Sequence, residues 1–431
     1  MTKRYEIYKD SGVQWLGEIP EHWICTSLGR ILSEKLQYGA SESGDLECTN
    51  DSMRYIRITD ITIDGKLKPD VCKFLSSEIG MNYPVRKGDV LLARSGATVG
   101  KAFIYNEDDD ACYAGYLIKA SVQQEKVLPQ FFFYFTQTSQ YDEWKNRIFI
   151  QATIQNISAE KYARMSLCLP PLSEQHSIVT YLDDKCAKID KSIENMEKQI
   201  ALLQEMKQRV IADAVTRGVD KTVKMKKSGI AWLDEVPEHW AVHRAKNLFN
   251  KEQRPVQDGD DIVTCFRDGE VTLRKNRRIT GFTEATDYTH YQHICVGDLV
   301  IHQMDAFAGS AGVSDSDGMG TPVLSVCTAK YDNVDNYYFA HIVRLMGKNG
   351  FILSLARGVR ERSSDFRFDT FSKQWLPVPP IEEQRAIVSY INERTTKIET
   401  LAKKIEQEIV YLKEYKQRLI SDVVTGQVKV C

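Results

Sequence analysis

The sequence predicts a mixed α/β protein with an internal pseudo-two-fold repeat, in which two α/β domains are joined by two long helices paired as an antiparallel coiled coil. Two duplications and one periodicity predict it. The phrase WLGEIPEHW at 15–23 returns as WLDEVPEHW at 232–240, an offset of 232 − 15 = 217 residues. LPPLSEQHSIV at 169–179 returns as VPPIEEQRAIV at 378–388, and KQRVIADAVTRG at 207–218 as KQRLISDVVTGQ at 416–427; both offsets are 209, since 379 − 170 = 209 and 416 − 207 = 209. Nothing is inserted or deleted between these two marks, so a rigid element is expected there.

That element reads as a long helix. Counting from Val179, apolar or small residues fall at Leu182, Cys186, Ile189, Ile193, Met196, Ile200 and Leu203, then at Val210 after a break at Lys207. In the second copy Val388, Ile391, Thr395, Ile398, Ala402, Ile405, Ile409, Leu412 and Leu419 keep the same register. Steps averaging about 3.5 residues make a coiled-coil seam, with Lys, Glu and Gln on its solvated flanks. Pro170-Pro171 and Pro379-Pro380 block helix upstream; Ser173, Glu174 and Gln175, or Glu382 and Glu383, supply caps and acidic charge for the first turn. Gly218 and Gly426 suit C-terminal caps. A lone rod cannot bury its stripe, and its simplest partner is the other copy, paired antiparallel.

The intervening segments are then globular, and the expected boundaries are 1–168 and 219–377 for the two domains, with helical spacers at 169–218 and 378–431. Only islands match between the domains. KGDVLLARSG at 87–96 lies over VGDLVIHQMD at 296–305, again at 296 − 87 = 209; each reads as a turn at Gly-Asp followed by a buried strand, VLLA or LVIH. Further strands are expected in YIRITDITI (55–63), CYAGYLIKASV (112–122) and PVLSVCTAK (322–330), and amphipathic helices in FFFYFTQTSQYDEW (131–144) and YYFAHIVRLMG (337–347). Two matched rods with two divergent domains describe a fixed ruler carrying two independently variable readers. A duplex with two half-sites at a set distance is a natural object for it.

Composition bounds the class. Over 431 residues, 42% hydrophobic and 27% charged residues are ordinary for a globular protein. No run of about 18 apolar residues occurs, and MTKRYEIYKDSG has no apolar core to act as a signal peptide, so a cytoplasmic protein is expected. The 10 cysteines form no CxxC pair and the 8 histidines are scattered; reduced structural thiols are expected, and no metal or cofactor. A net charge of −2 gives no global footprint for nucleic acid, so a DNA surface must be local or completed by partners.

These residues carry a family resemblance. GEIPEHW at 17–23 with DEVPEHW at 234–240, LPPLSEQHSIVTYLD at 169–183 with VPPIEEQRAIVSYIN at 378–392, the KQRVI and KQRLI marks, and GDVLLARSGATVGK at 88–101 together resemble the specificity subunit of a Type I restriction-modification enzyme, over nearly the whole chain. The resemblance implies two target recognition domains, each reading half of a bipartite double-stranded DNA site through the major groove, and helices that set the spacer. It also implies that the helices dock two methyltransferase subunits, and through them the restriction subunits, and that the chain itself is non-catalytic. The second domain departs from the pattern, with His302, Gln303, Met304 and Asp305 in place of ARSG.

Arg and Lys contact phosphate or read guanine, and Gln or Asn reads adenine, from strand ends and loops. In the first domain the candidates are Arg54 and Arg57; Arg94, Ser95, Thr98 and Lys101; and Gln151, Thr153 and Gln155. In the second they are Arg274, Lys275, Arg277 and Arg278 in LRKNRR, Gln303, and Arg357, Arg360 and Arg362 in ARGVRERSS. Each is also a plausible solvated surface charge. RSGATVGK is one residue short of a nucleotide-binding loop, Ala102 stands where Ser or Thr would hold magnesium, and FIY reads on as strand. No Asn-Pro-Pro or Asp-Pro-Pro loop of an amino-methyltransferase occurs, and Pro69-Asp70 is followed by no nuclease ExK. His22 and His239 are expected to be packed and hydrogen-bonded. The competing reading of a different class is a non-catalytic coiled-coil scaffold whose globular halves bind proteins.

Overall fold

The computed structural model describes the chain except residues 1–3, 46–47, 50, 63–66, 69–71, 97, 151–154, 278–279, 281–287, 356–365 and 431, with the side chain of 150 also excluded. It divides into two units, one of residues 1–197 with 406–431 and one of residues 198–405. Each long helix therefore contributes half its length to each unit. The first helix is Leu172–Arg217 and the second Ile381–Val424.

The seam is where the periodicity places it. In the first unit Leu182, Cys186, Ile189 and Ile193 of the first helix are buried, as are Ile409 and Leu419 of the second; in the other unit Ile391, Ile398 and Ile405 are buried. The break in the stripe has a structural purpose. Lys207 is half-buried in the seam and its ammonium lies 2.5 Å from Glu399 of the facing helix. In the first unit Lys416 pairs at 2.6 Å with Asp190. These are the same two positions, because 416 − 207 = 209 and 399 − 190 = 209. In each unit the paired positions sum to 606, which is antiparallel pairing in one register. A charged residue at a seam position stabilises less than an apolar one but penalises slipped registers.

Each globular domain closes on itself by pairing its first strands with its last. In the first, hairpin Tyr8–Asp10 with Glu18–Pro20 precedes strand Ile24–Ser27, which runs antiparallel to Ser166–Leu169 just ahead of the long helix. The second repeats this with hairpin Met225–Ile230 and Leu233–Pro237, and strand Ala241–Arg244 against Trp375–Val378. Opposed in the first pair are Cys25 and Cys168, which are joined as a disulfide. This corrects the expectation of reduced thiols throughout: strand register places the two Cβ atoms face to face, which no sequence spacing reveals. In the second domain Val242 opposes Pro377 there.

The interiors are antiparallel for the most part. Val90–Ala93 is fully buried between Leu117–Ala120 and Ala102–Ile104, while Ser52–Ile56 runs parallel to Ala111–Tyr113. In the second domain Leu299–His302 lies between Ala311–Val313 and Leu324–Ala329. Three expectations needed splitting. CYAGYLIKASV is two strands broken at Gly115, YIRITDITI leaves strand after Ile56 for a 3-10 turn at Ile58–Asp60, and FFFYFTQTSQYDEW is two helices, Pro129–Phe135 and Ser139–Ile150. YYFAHIVRLMG is one helix, Asn336–Lys348, capped by the Asp335 carboxylate accepting from the amides of Tyr337 and Tyr338. Among the described residues no helix is long and apolar enough to cross a membrane.

Candidate nucleic-acid interface

The repeated phrases build the mount on which each domain sits. Glu174, in the first turn of the first long helix, is 9% exposed. Its carboxylate receives the Trp23 indole N–H at 3.1 Å, the Tyr5 hydroxyl, and His22 Nε2 at 2.8 Å. Beside it, fully buried Gln175 accepts from the Leu128 amide and donates to the carbonyls of Lys126 and Pro170. In the second domain Glu383 lies 2.7 Å from His239 Nε2, and Gln384 accepts from the Asp335 amide and donates to Asn333 and Pro379. The copies differ in that Glu174 also receives the Trp23 indole and the Tyr5 hydroxyl, whereas the Trp240 indole N–H is buried with no partner. Glu174 and Glu383, read from sequence as charge for the helix dipole, are therefore docking groups as well. At the far helix ends Gly218 and Gly426 are left-handed, φ +74° and +75°, and a Cβ at Gly426 would lie 2.4 Å from Pro20.

The domain surfaces present the candidate contacts. In the first domain buried strand Val90–Ala93 delivers Arg94 and Ser95 at its end. Ser95 bridges Asn156, and Arg94 accepts from the Ile157 amide, so Gln155 emerges beside them. The Arg94 guanidinium stacks 4.6 Å from the ring of Tyr38, and its buried Nε has no hydrogen-bond partner. Exposed Tyr38 and Tyr116 flank it; neither was singled out in the sequence, where Tyr116 fell within an expected strand. Thr98 and Lys101 line a cavity of about 20 Å³ with Ile58, Ile61 and Thr62, so the structure brings the YIRITD and RSGATVGK loops together. Lys101 is exposed and, among the described residues, unpaired. The run continues as strand Ala102–Ile104, as expected of a loop that is not a nucleotide cradle.

Other candidates are occupied internally. Arg57 makes bonds of 3.1 and 2.6 Å to buried Asp60, holding the 3-10 turn, and Arg54 reaches the Lys68 carbonyl at 3.5 Å. In the second domain the cations of LRKNR at 273–277 are each answered. Lys275 lies 2.8 Å from Asp261, whose carboxyl is held below its usual range chiefly by that bond and by the Ile262 amide. Arg277 pairs with Asp268 and Glu270 at 2.8 Å over the ring of Phe266. Arg274 is half-buried, with Nε 3.5 Å from the Thr264 hydroxyl. The same turn carries Arg267, which reaches Asp305 at 2.9 Å and so joins this patch to the end of strand Leu299–His302. There the Gln303 amide donates inward, to Pro322 at 3.3 Å and Ser325 at 3.4 Å. Burial lowers the pKa of neighbouring His302. Gln151, Thr153, Arg278, Arg357, Arg360 and Arg362 lie outside the described residues.

Two divergent α/β domains, each seated on a long helix by a matched mount, define a duplicated two-domain architecture, and comparison with known proteins shows what it is similar to. Residues 45–205 match the family described as the Type I restriction modification DNA specificity domain. The chain is 23% identical over 440 residues to the Type I restriction enzyme EcoBI specificity subunit of Escherichia coli, covering 97% of this chain and 89% of that protein. It is 24% identical over 440 residues to the putative type I restriction enzyme MjaX specificity subunit of Methanocaldococcus jannaschii, with 96% of each covered. Its fold is similar to a chain of a solved type I R-M system (TM-score 0.68, 15% identity, 94% of this chain and 98% of that one). It is also similar to the HsdS subunit from Thermoanaerobacter tengcongensis (TM-score 0.56, 15% identity, 95% and 98%). The chain is thus similar, along nearly its whole length, to proteins named as specificity subunits of Type I restriction enzymes.

Proposed function

We propose that the chain confers DNA sequence specificity on a Type I restriction-modification complex. Residues 1–168 and 219–377 act as target recognition domains, each reading one half of a bipartite double-stranded site, and the helical segments 169–218 and 378–431 set the spacer. The observation that carries this reading is the near-full-length similarity to proteins named as specificity subunits. In the cytoplasm two methyltransferase subunits dock on the helices, restriction subunits join through them, and this chain supplies recognition without catalysis. Arg94, Ser95, Thr98 and Lys101, with Gln151, Thr153 and Gln155, are the first domain's contacts; Arg274, Lys275, Arg277 and Gln303, with Arg357, Arg360 and Arg362, are the second's. Arg54 and Arg57 act indirectly, by holding the loop that faces Thr98 and Lys101.

The test is selection from randomised duplexes by the chain with its methyltransferase subunits. Two short conserved blocks at fixed separation are expected; a single contiguous motif is incompatible with the proposal. Charge reversal at Lys101 and Lys275 should weaken binding and flatten its salt dependence, each lost phosphate contact lowering the slope by about one. Unaltered binding in both variants would favour a protein-binding scaffold.

A further inference from the structure

Three metal-ligand side chains of the second domain meet where the turn after strand Gln292–Ile294 faces the turn before Gly318–Gly320. One donor atom from each of His293, Cys295 and Asp317 lies within 4.8 Å of the other two. We propose that they bind a divalent transition metal of the zinc class, with imidazole, thiolate and carboxylate as three ligands and water as the fourth. Thiolate and imidazole select borderline-soft ions over magnesium or calcium. Ligand bonds of roughly 2.0–2.3 Å span donor separations of this order after small side-chain rotations.

The surroundings are arranged as a ligand set requires. His293 is 5% exposed and its Nδ1 lies 2.8 and 3.0 Å from the oxygens of Asp260, whose side chain is 8% exposed. A carboxylate at Nδ1 fixes the proton there and leaves Nε2 with its lone pair, the usual outer partner of a metal-bound histidine. The Asp317 carboxylate is oriented by the Val296 amide at 2.8 Å. Cys295 is half-buried, its own amide donating to Asp298, which Arg254 neutralises at 2.5 Å. Asp317 has no ion pair among the described residues.

The first domain supplies an independent comparison. There the equivalent strand Pro84–Val85 pairs with Ala111–Tyr113, and Lys87 neutralises Asp108 in the acidic turn ahead of that strand at 2.9 Å. At the offset of 209, Lys87 is replaced by Val296, Arg86 by Cys295 and Pro84 by His293. Where one copy holds a cationic side chain against an acidic turn, the other has lost both cations and gained a thiol and an imidazole. A bound divalent ion restores the missing positive charge.

The experiment uses the full chain, stripped with chelator and dialysed against zinc, then read by elemental analysis and by cobalt substitution. One retained equivalent is expected, with thiolate-to-cobalt charge-transfer absorption. Cys295→Ser should abolish that absorption, and Asp317→Asn, at an exposed position that spares the fold, should weaken binding by roughly tenfold or more. Cys48→Ser, removing an exposed thiol elsewhere, should change neither. No retained metal in the native chain, or retention insensitive to both Cys295→Ser and Asp317→Asn, overturns the proposal.

Discussion

Trp23 and Trp240 occupy equivalent positions, yet only the former finds a hydrogen-bond acceptor, the Glu174 carboxylate. Trp23→Phe removes a bond to a charged group in addition to ring area, whereas Trp240→Phe removes ring area and a buried unpaired N–H. Denaturant unfolding should therefore show Trp23→Phe as the costlier change by about 1–2 kcal/mol; equal costs would contradict the assigned bonding. His341 offers a test by pH. Burial, then the charges of Arg344 and Lys348, lower its pKa to about 4, and its Nδ1 is buried without a partner. The folded state thus resists a proton that the unfolded chain accepts near pH 6.5. Stability contributed by the neutral ring is full above that value and is lost as pH falls towards 4, on the order of 2–3 kcal/mol. His341→Leu should flatten this part of the acid limb of a stability–pH profile. At this scale sequence reading was weakest. Arg57 and Lys275 were chosen for charge alone; Asp60 stands three residues from Arg57, but nothing local in the chain reveals that Asp261 stands ready to pair with Lys275.

Elements were more legible, because helix periodicity and flanking Pro and Gly act over short range. Both long helices, their C-terminal glycines and the strands VLLA and LVIH were read directly, the last two because buried strands are short apolar runs between turn signals, whereas Ser173, expected as a cap, lies inside the helix Leu172–Arg217. What escaped was pairing. The parallel contact of Ser52–Ile56 with Ala111–Tyr113, and the opposition of Cys25 to Cys168, join residues far apart in sequence. The break at Lys207 was visible, but its partner Glu399 was not. A double-mutant cycle on Lys207 and Glu399, using Lys207→Met and Glu399→Gln, should give a coupling of about 0.3–1 kcal/mol, small because both side chains retain water contact. Replacing both seam lysines, Lys207→Leu with Lys416→Leu, should raise thermal stability while loosening register, seen as mixed products in cysteine cross-linking across the helix pair.

At the scale of the molecule, helix length is the variable that the proposed function makes measurable. Deleting one heptad from each long helix removes about 10 Å of rise, so the separation of the two selected DNA blocks should shrink, by at most about three base pairs. An unchanged spacer would mean that the helices do not set it. The order of the repeat was readable from the offsets alone, whereas the division into two units, each borrowing half of both helices, follows from chain folding back on itself. The mounts have a genetic consequence. Glu174, Gln175, His22 and Trp23 lie in duplicated segments, as do Glu383, Gln384, His239 and Trp240, while Arg94 and Gln303, though aligned at the offset of 209, are different residues. Crossovers between related genes within the duplicated stretches would exchange a whole reading surface and leave its seat intact. Selection can then renew what is recognised without re-solving how the subunit is assembled.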